Sequence, residues 1–368
     1  MKARALHSTL TADGQIRLTL DEVDLGDPGP DDVIVRVDAT PVNPTDLVLM
    51  LSGADLSGAN ASAGAVVAPV PAGILKVFAG RIDRPLPVGT EGAGTVIAAG
   101  ASPAARALVG KAVAASSGMF ATHRKLPVTA VRELPPGATA EDGASSFVNP
   151  MTALSFVETM RAEHHQAIVH TAAASNLGQM LIKICAADRV PLVNIVRRAA
   201  HVEQLRALGA EHVLDSSAPT FGQDLVDAIA ATGATLAFDA IGGGTLGAQI
   251  LDAMERVASR AMTTFSHYGS STLKQLYIYG SLDRSPTQLA RTFGLSWSVG
   301  GYLVSNALRK LGPEVMSRML RRVASELTTT FASHYTARIT LDQLLDLATL
   351  RACAQMSAGE KYLIVAGR

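Results

Sequence analysis

Two rhythms of apolar and polar residues divide the chain. Up to about residue 148 the apolar positions recur every second residue in short runs. In "DDVIVRVDAT" (Asp31–Thr40), Val33, Val35 and Val37 fall on one side of an extended strand. "MKARALHSTLTADGQIRLTL" alternates in the same way, the glycine-rich "GTEGAGTVIAAG" signals a strand pair, and "GKAVAAS" follows, with Pro and Gly clusters between them. From Asn149 the rhythm changes. Apolar runs of strand length ("QAIVHTA", "VPLVNIVRR", "EHVLDSS", "ATLAFDAIGG") alternate with helical ones ("NLGQMLIKICAAD", "AAHVEQLRALGA", "FGQDLVDAIAATG"). That alternation predicts a doubly wound parallel sheet with helices on both faces, an α/β architecture. Beyond it come "LYIYGSLD", "FGLSWSVGGYLV", an amphipathic helix "PEVMSRMLRRVASEL" and a closing strand "KYLIVAGR".

One stretch breaks both rhythms. "ANASAGAVVAPVPAGILKVFAG" (Ala59 to Gly80) carries a single charge, Lys76, over about the length of a bilayer span. Pro69 and Pro71 interrupt it, and its Gly, Ala, Ser and Asn content is too weakly apolar to insert. The expectation is an insertion outside the membrane, part loop and part short helix. The wider insertion runs from about Ser52 to Pro87.

Composition narrows the partners. A chain of 368 residues exceeds one ordinary core and predicts two domains. Lys+Arg and Asp+Glu both total 32, so no basic excess argues for nucleic acid or an anionic membrane surface, and a small neutral partner fits better. Cys185 and Cys353 lie in apolar stretches and form no CxxC pair. With no continuous apolar run at the N-terminus, the expected location is cytoplasmic.

The candidate chemistry begins at "IVHTAAASNLGQML", placed directly after a strand and directly before a helix. At such a turn, backbone N–H groups and a helix N-terminus can meet a pyrophosphate. The usual glycines are replaced by Ala172, Ala173, Ala174, Ser175 and Asn176, which are small or tolerate unusual backbone angles. Gly178 remains, where the helix is expected to lie close to its neighbouring strand. A plain βα connection would look similar. The next strand end, about 20 residues on, is where an acidic residue would bind the ribose of NAD and an arginine the 2′-phosphate of NADP. It holds Arg197 and Arg198, which favours NADPH unless they are only a solvated strand end. A third element, "AFDAIGGG", runs into Ile241 and Gly242, whose backbone could pass close to a flat ring.

In this order the residues resemble the medium-chain dehydrogenase/reductase superfamily over nearly the whole chain. The resemblance rests on "NPTDL" (Asn43–Leu47), "VGTEGAGTV" (Val88–Val96), "NPMTAL" (Asn149–Leu154), "AAASNLGQ", "RALGAEHVLD", "FDAIGG", "YGSL" (Tyr279–Leu282) and "GEKYLIVA". It is closest to the zinc-free branch of quinone oxidoreductases and 2-enoyl thioester reductases. The positions that carry a zinc-binding cysteine and histidine in zinc alcohol dehydrogenases of this superfamily hold Thr40 and Thr90 here, so no metal is expected.

The resemblance implies a GroES-like, partly closed β-barrel catalytic domain (residues 1–148 and 313–368) and a Rossmann domain (149–312), with the active site between them. It implies NADP(H) as cofactor. Asn43 and Thr152 would contact the nicotinamide half, although Asn43 also suits a turn cap and Thr152 a helix N-cap. Ser175, Asn176, Leu177 and Gly178 would hold the pyrophosphate, and Arg197 and Arg198 the 2′-phosphate. Ile241, Gly242, Gly280, Ser281 and Leu282 would line the nicotinamide side, and Lys361 would reach the pyrophosphate.

The implied reaction is zinc-independent hydride transfer to a quinone or an α,β-unsaturated carbonyl, a small electrophilic acceptor. Enoyl thioester reductases of this type carry a tyrosine proton donor after "NP(S/T)D", and no tyrosine lies between Asp46 and Gly89. Asn43 and Tyr279 are the remaining catalytic candidates, with Tyr302 a further hydroxyl; such tyrosines also serve as packed core. The alternatives are an enoyl-CoA reductase and a non-catalytic NADPH-binding or sensing protein. The run around Trp297 implies an edge strand that pairs in a homodimer.

Overall fold

The computed structural model describes residues 1–62, 64–355 and 361–366; Gly359 and Glu360 of the closing motif lie outside them. The chain divides into two compact units, Met1–Val148 with Ala324–Arg368, and Asn149–Val323. The first junction falls where the rhythm of the sequence changes. The second falls at Val323/Ala324, inside the helix Pro313–Ser325, rather than at 312/313. The reason is visible on that helix: Arg318 and Arg322 pair with Glu158 and Asp188 of the second unit, which draws most of the helix there.

The first unit is built of two sheets. The antiparallel one runs Asn60–Ser62, Ala65–Pro69, Gln15–Asp24, Lys2–Leu10 and Leu86–Pro87. The larger, mixed one runs Val131–Glu133, Ala112–Ser116, Glu91–Ala99, Asp32–Pro41, Tyr362–Val365 and Ala337–Ile339, with His123–Pro127 also on Asp32–Pro41. A bridge at Ala5–Ala121 and the bond from Leu6 N–H to Phe120 O (2.8 Å) join them, yet both sheets stay open, so the barrel is not closed. The insertion departs from its expectation. It does contain a short helix, Ala72–Val77, but Asn60–Ser62 and Ala65–Pro69 are a hairpin that extends the antiparallel sheet. Val66 and Ala68 alternate inward and are fully buried. Small side chains of weak strand propensity hid that period.

The second unit carries six parallel strands in the order His212–Asp215, Leu192–Val196, Ile168–His170, Leu236–Asp239, Lys274–Ile278 and Trp297–Gly301. Chain order across the sheet is 3-2-1-4-5-6, the doubly wound arrangement, with its switch point between Ile168–His170 and Leu236–Asp239. Val169, Val193, Ile195, Ala237 and Leu276 form its core with the helices Phe221–Thr232 and Leu246–Arg260. Both cysteines are free and buried, and among the described residues no helix is long and apolar enough to cross a membrane.

Candidate functional site

In the second unit the predicted residues converge on the carboxyl ends of neighbouring parallel strands, where ligands bind in open α/β sheets. The turn after Ile168–His170 starts at buried Thr171 and passes through Ala172 at φ 51°, a left-handed conformation usually left to glycine. Ser175 then caps the helix Asn176–Asp188, its Oγ accepting the Gly178 N–H at 3.2 Å. Gly178 is required, but not by a neighbouring strand: a Cβ there would stand 2.2 Å from the carbonyl oxygen of Ala173, in the turn itself. Leu177 is buried on the helix's inner face.

Arg197 and Arg198 follow the strand Leu192–Val196, are exposed, and make no ion pair or side-chain hydrogen bond among the described residues. At the switch point a residue missed in the sequence reading ties the strand ends together. The buried carboxylate of Asp239 accepts the Thr171 hydroxyl (2.6 Å) and the N–H groups of Ile241 (2.9 Å) and Gly242 (3.1 Å). The signal was present in "FDAIGG": an acid at a strand end followed by a turn rich in glycine.

Gly242 (φ 79°) is demanded by backbone, since a Cβ would lie 2.7 Å from Gly280 O. Gly280, exposed Ser281 and exposed Leu282 leave the next strand end beside it, with Leu282 N–H bonded to Ala240 O at 3.2 Å. Thr152 is buried within the helix Val148–Ala162, past its first turn, and so is no N-cap.

The tyrosines sit among aromatic rings. Tyr279 OH lies 2.8 Å from His170 Nε2, and Phe156 packs against the rings of His170, Phe238, Tyr279 and Tyr302. Burial pushes the His170 imidazole down to about 3 and raises the Tyr279 phenol above its ordinary range. Tyr302 OH is shared by Thr159 (2.9 Å) and Ser155 (3.0 Å).

The first unit contains a separate polar cluster. Asn43 caps the helix Pro44–Leu51, and the Asp46 carboxylate reaches back to its N–H at 2.9 Å. Asp46 also accepts the Thr90 N–H at 2.7 Å. Asn43 Nδ2 donates to Glu91 Oε1 (2.9 Å) and Thr90 Oγ1 (3.3 Å), which fixes the orientation of its amide. Glu91 Oε2 takes the N–H groups of Phe147 (2.8 Å) and Val148 (3.0 Å). Thr40 donates its hydroxyl to Glu91 O at 2.6 Å.

Lys361 is only 6% exposed and its ammonium has no hydrogen-bond partner among the described residues; it lies 5.9 Å from the centre of the Tyr335 ring. Burial lowers its pKa to about 8, against the pull of Glu91 and Asp46. Burial likewise pushes Asp46 up to about 7, opposed by its hydrogen bonds. Among the described residues no group of three or more His, Cys, Asp or Glu is placed to hold a metal ion.

No protein-family model matches the chain. Among curated proteins it is similar to mitochondrial enoyl-[acyl-carrier-protein] reductases. The Mus musculus protein is 26% identical over 190 residues (50% of this chain, 44% of that one) and the Xenopus tropicalis protein 27% over 206 (54% and 51%). The chain thus spans about half the length of the curated relatives it matches. Among solved structures, a protein assigned as an NADPH:quinone reductase from Mesorhizobium loti superposes with TM-score 0.72 at 23% identity, covering 99% of this chain and 98% of that one. A mutant enoyl thioester reductase from Candida tropicalis gives 0.69 at 18%, covering both chains fully, and an Etr1p complex with NADP and crotonyl-CoA gives 0.70 at 19%, with the same coverage. These are the kinds of reductase that the sequence motifs resemble, and the fold is the one they share.

Proposed function

We propose that this chain binds NADP(H) and reduces a small electrophile, a quinone or an α,β-unsaturated carbonyl. The observation that carries the reading is the pair of exposed, unpaired guanidinium groups of Arg197 and Arg198 beside the turn that Ser175 caps. The residues present suit a dinucleotide. The start of the helix Asn176–Asp188, with Ser175, Asn176, Leu177 and Gly178, offers backbone N–H groups and the positive end of the helix dipole to a pyrophosphate. Arg197 and Arg198 meet the 2′-phosphate, and Thr152, Ile241, Gly242, Gly280, Ser281 and Leu282 line the nicotinamide side. When bound, the cofactor supplies a hydride from its nicotinamide ring. The protein's own part is to orient the acceptor and to supply a proton to the reduced product.

Two further readings complete the proposal. The outer side of the strand Trp297–Gly301 pairs with no other strand among the described residues, so a second copy of the chain would cover it; sedimentation at micromolar concentration distinguishes dimer from monomer. Two free thiols suit the reducing cytoplasm.

Arg197→Ala with Arg198→Ala tests the reading. Charge-assisted phosphate contacts contribute about 1.5–3 kcal/mol each, so NADPH affinity falls by that order while NADH affinity stays. Equal loss for both cofactors overturns the 2′-phosphate assignment. The curated matches to enoyl-[acyl-carrier-protein] reductases favour a thioester as the second acceptor class, and turnover of crotonyl-CoA against a simple quinone separates the two. Tight NADPH binding with no oxidation by any acceptor would leave a sensor instead of an enzyme.

A further inference from the structure

Between Val70 and Val88 only one side chain is buried, and it is a charged one: Arg81, 8% exposed. Its guanidinium reaches out of the insertion into the body of the first unit. Nη1 donates to Leu49 O (2.6 Å) and Ser52 Oγ (2.5 Å), and Nη2 to Ser8 O and Ser8 Oγ (both 2.9 Å). No carboxylate pairs with it among the described residues, and its Nε is buried without a partner. What faces the charge is the end of the helix Pro44–Leu51, where Ser52 turns into the left-handed region at φ 47°. The last carbonyls of a helix carry partial negative charge and lack donors within it, so a guanidinium can be held there without an acid. The rest of the segment is lightly attached. Its ends are pinned to one turn of the antiparallel sheet, by Val70 N–H to Gly14 O (2.8 Å) and by Asp83 N–H to Leu10 O (2.7 Å) beside the Leu10–Ile82 bridge. Between the pins the N–H groups of Ile74, Leu75, Phe78, Arg81 and Ile82 bond to carbonyls of the segment itself. The helix Ala72–Val77 buries no residue, and Ile74, Leu75, Phe78 and Ile82 cover Leu10, Ile16, Ala68 and Val70 while staying partly exposed.

We propose that residues 71–82 are a strap that opens and closes on the first unit as one piece, pivoting at Val70 and Asp83, with the Arg81 guanidinium as its latch. The inference goes beyond the reductase reading and does not depend on it. Both pivots sit on the same turn, so the strap swings away without disturbing the register of Lys2–Leu10 with Gln15–Asp24. The balance between the two positions is narrow. Closing strips the guanidinium of water and orders its long side chain; its hydrogen bonds and the partly covered apolar side chains offset that cost. Segments with so little buried apolar surface open far below the free energy of global unfolding. Opening bares Leu10, Ile16, Ala68 and Val70 and frees Leu49 O, so the latch controls whether that apolar cluster meets water.

Hydrogen–deuterium exchange on the full chain tests the latch. In the wild type the amides of Ile74, Leu75, Phe78 and Arg81 share one protection factor, lower than that of the paired strands Lys2–Leu10 and Gln15–Asp24. Arg81→Met, which keeps an apolar stem and loses the donors, raises exchange of the strap amides by about 100-fold and leaves the strands as they were. Trypsin cleavage at Lys76 in the folded protein accelerates in step. Ser52→Gly suits the left-handed backbone and removes one acceptor only, so it raises strap exchange by about 10-fold and carries the test should Arg81→Met fail to fold. Strap amides that exchange as slowly as the strands show that nothing opens separately, and unequal rates along the strap show fraying; either result overturns the proposal. Strap exchange unchanged by both substitutions, or raised to the same degree in the strands, removes Arg81 as the latch and overturns it as well.

Discussion

Each unit buries one lysine, and the two are held in opposite ways. Lys274, at the start of a strand in the second unit, is fully enclosed, paired with Glu255 and bonded to Ser270 Oγ at 3.1 Å. The Glu255 carboxylate also takes the Ser259 hydroxyl (2.7 Å) and both the N–H (2.7 Å) and hydroxyl (2.6 Å) of Ser270. Every polar atom of that cluster has a use inside the fold. Lys361, in the first unit, feels the pull of Glu91 and Asp46, yet its ammonium makes no hydrogen bond among the described residues. A satisfied buried charge secures a structure, whereas an unsatisfied one lowers its stability and is kept for another reason.

The comparison predicts effects of opposite sign. The largest is expected for Lys274→Met, which strands the Glu255 carboxylate in the interior and destabilises the protein by about 3–5 kcal/mol in urea unfolding. A loss below 1 kcal/mol would mean that the pair is not the staple its geometry describes.

Acid should then dissolve the same cluster. Burial opposes the Glu255 carboxylate, but hydrogen bonds from Lys274, Ser270 and Ser259 outweigh it and hold the pKa at about 2. A carboxyl depressed in the folded state contributes stability above its unfolded pKa of about 4.3, lost as pH falls through the folded value. The expected loss between pH 5 and pH 2 is about 3 kcal/mol, and Glu255→Gln should abolish that part of the slope.

Lys361→Met sharpens the contrast from the other side. The folded pKa of Lys361, about 8, lies below the unfolded one near 10.4. The unfolded chain therefore binds the extra proton between those values, and stability rises with pH across that window. At pH 7 the charged form is penalised in the fold, so removing it should raise stability by about 1–2 kcal/mol. Destabilisation of the size expected for Lys274→Met would show that Lys361 is paired after all. The smallest effect belongs to the rim: Arg197→Ala with Arg198→Ala should shift unfolding by under about 0.5 kcal/mol, because nothing in the fold leans on either side chain.

Much of this was legible in the sequence. Period-two runs marked the sheets of the first unit, and alternating strand and helix patterns marked the doubly wound sheet, because both rest on burial of one face. The turn was readable as well, since Ser175 has the chemistry of a helix cap and Gly178 the only side chain that fits. What stayed hidden depended on long-range register. The hairpin 60–69 lacks the branched residues that announce a strand, and it forms because Gln15–Thr19 offers an edge. Lys361 read as a pyrophosphate contact implied by the resemblance, and nothing local shows that its strand lies beside Asp32–Pro41. Thr90 was read only for the histidine it replaces, and its N–H bond to Asp46 appears once the helix Pro44–Leu51 and the strand Glu91–Ala99 are set together.

Ala172 carries a last consequence. A residue with a Cβ held at φ 51° sits about 1–2 kcal/mol above its relaxed state, and here the cap at Ser175 and the close approach of Gly178 keep it there. The turn is thus held in one bent shape, and little disorder would remain for a bound ligand to remove. A glycine in its place would relax the bend and let the turn sample other shapes.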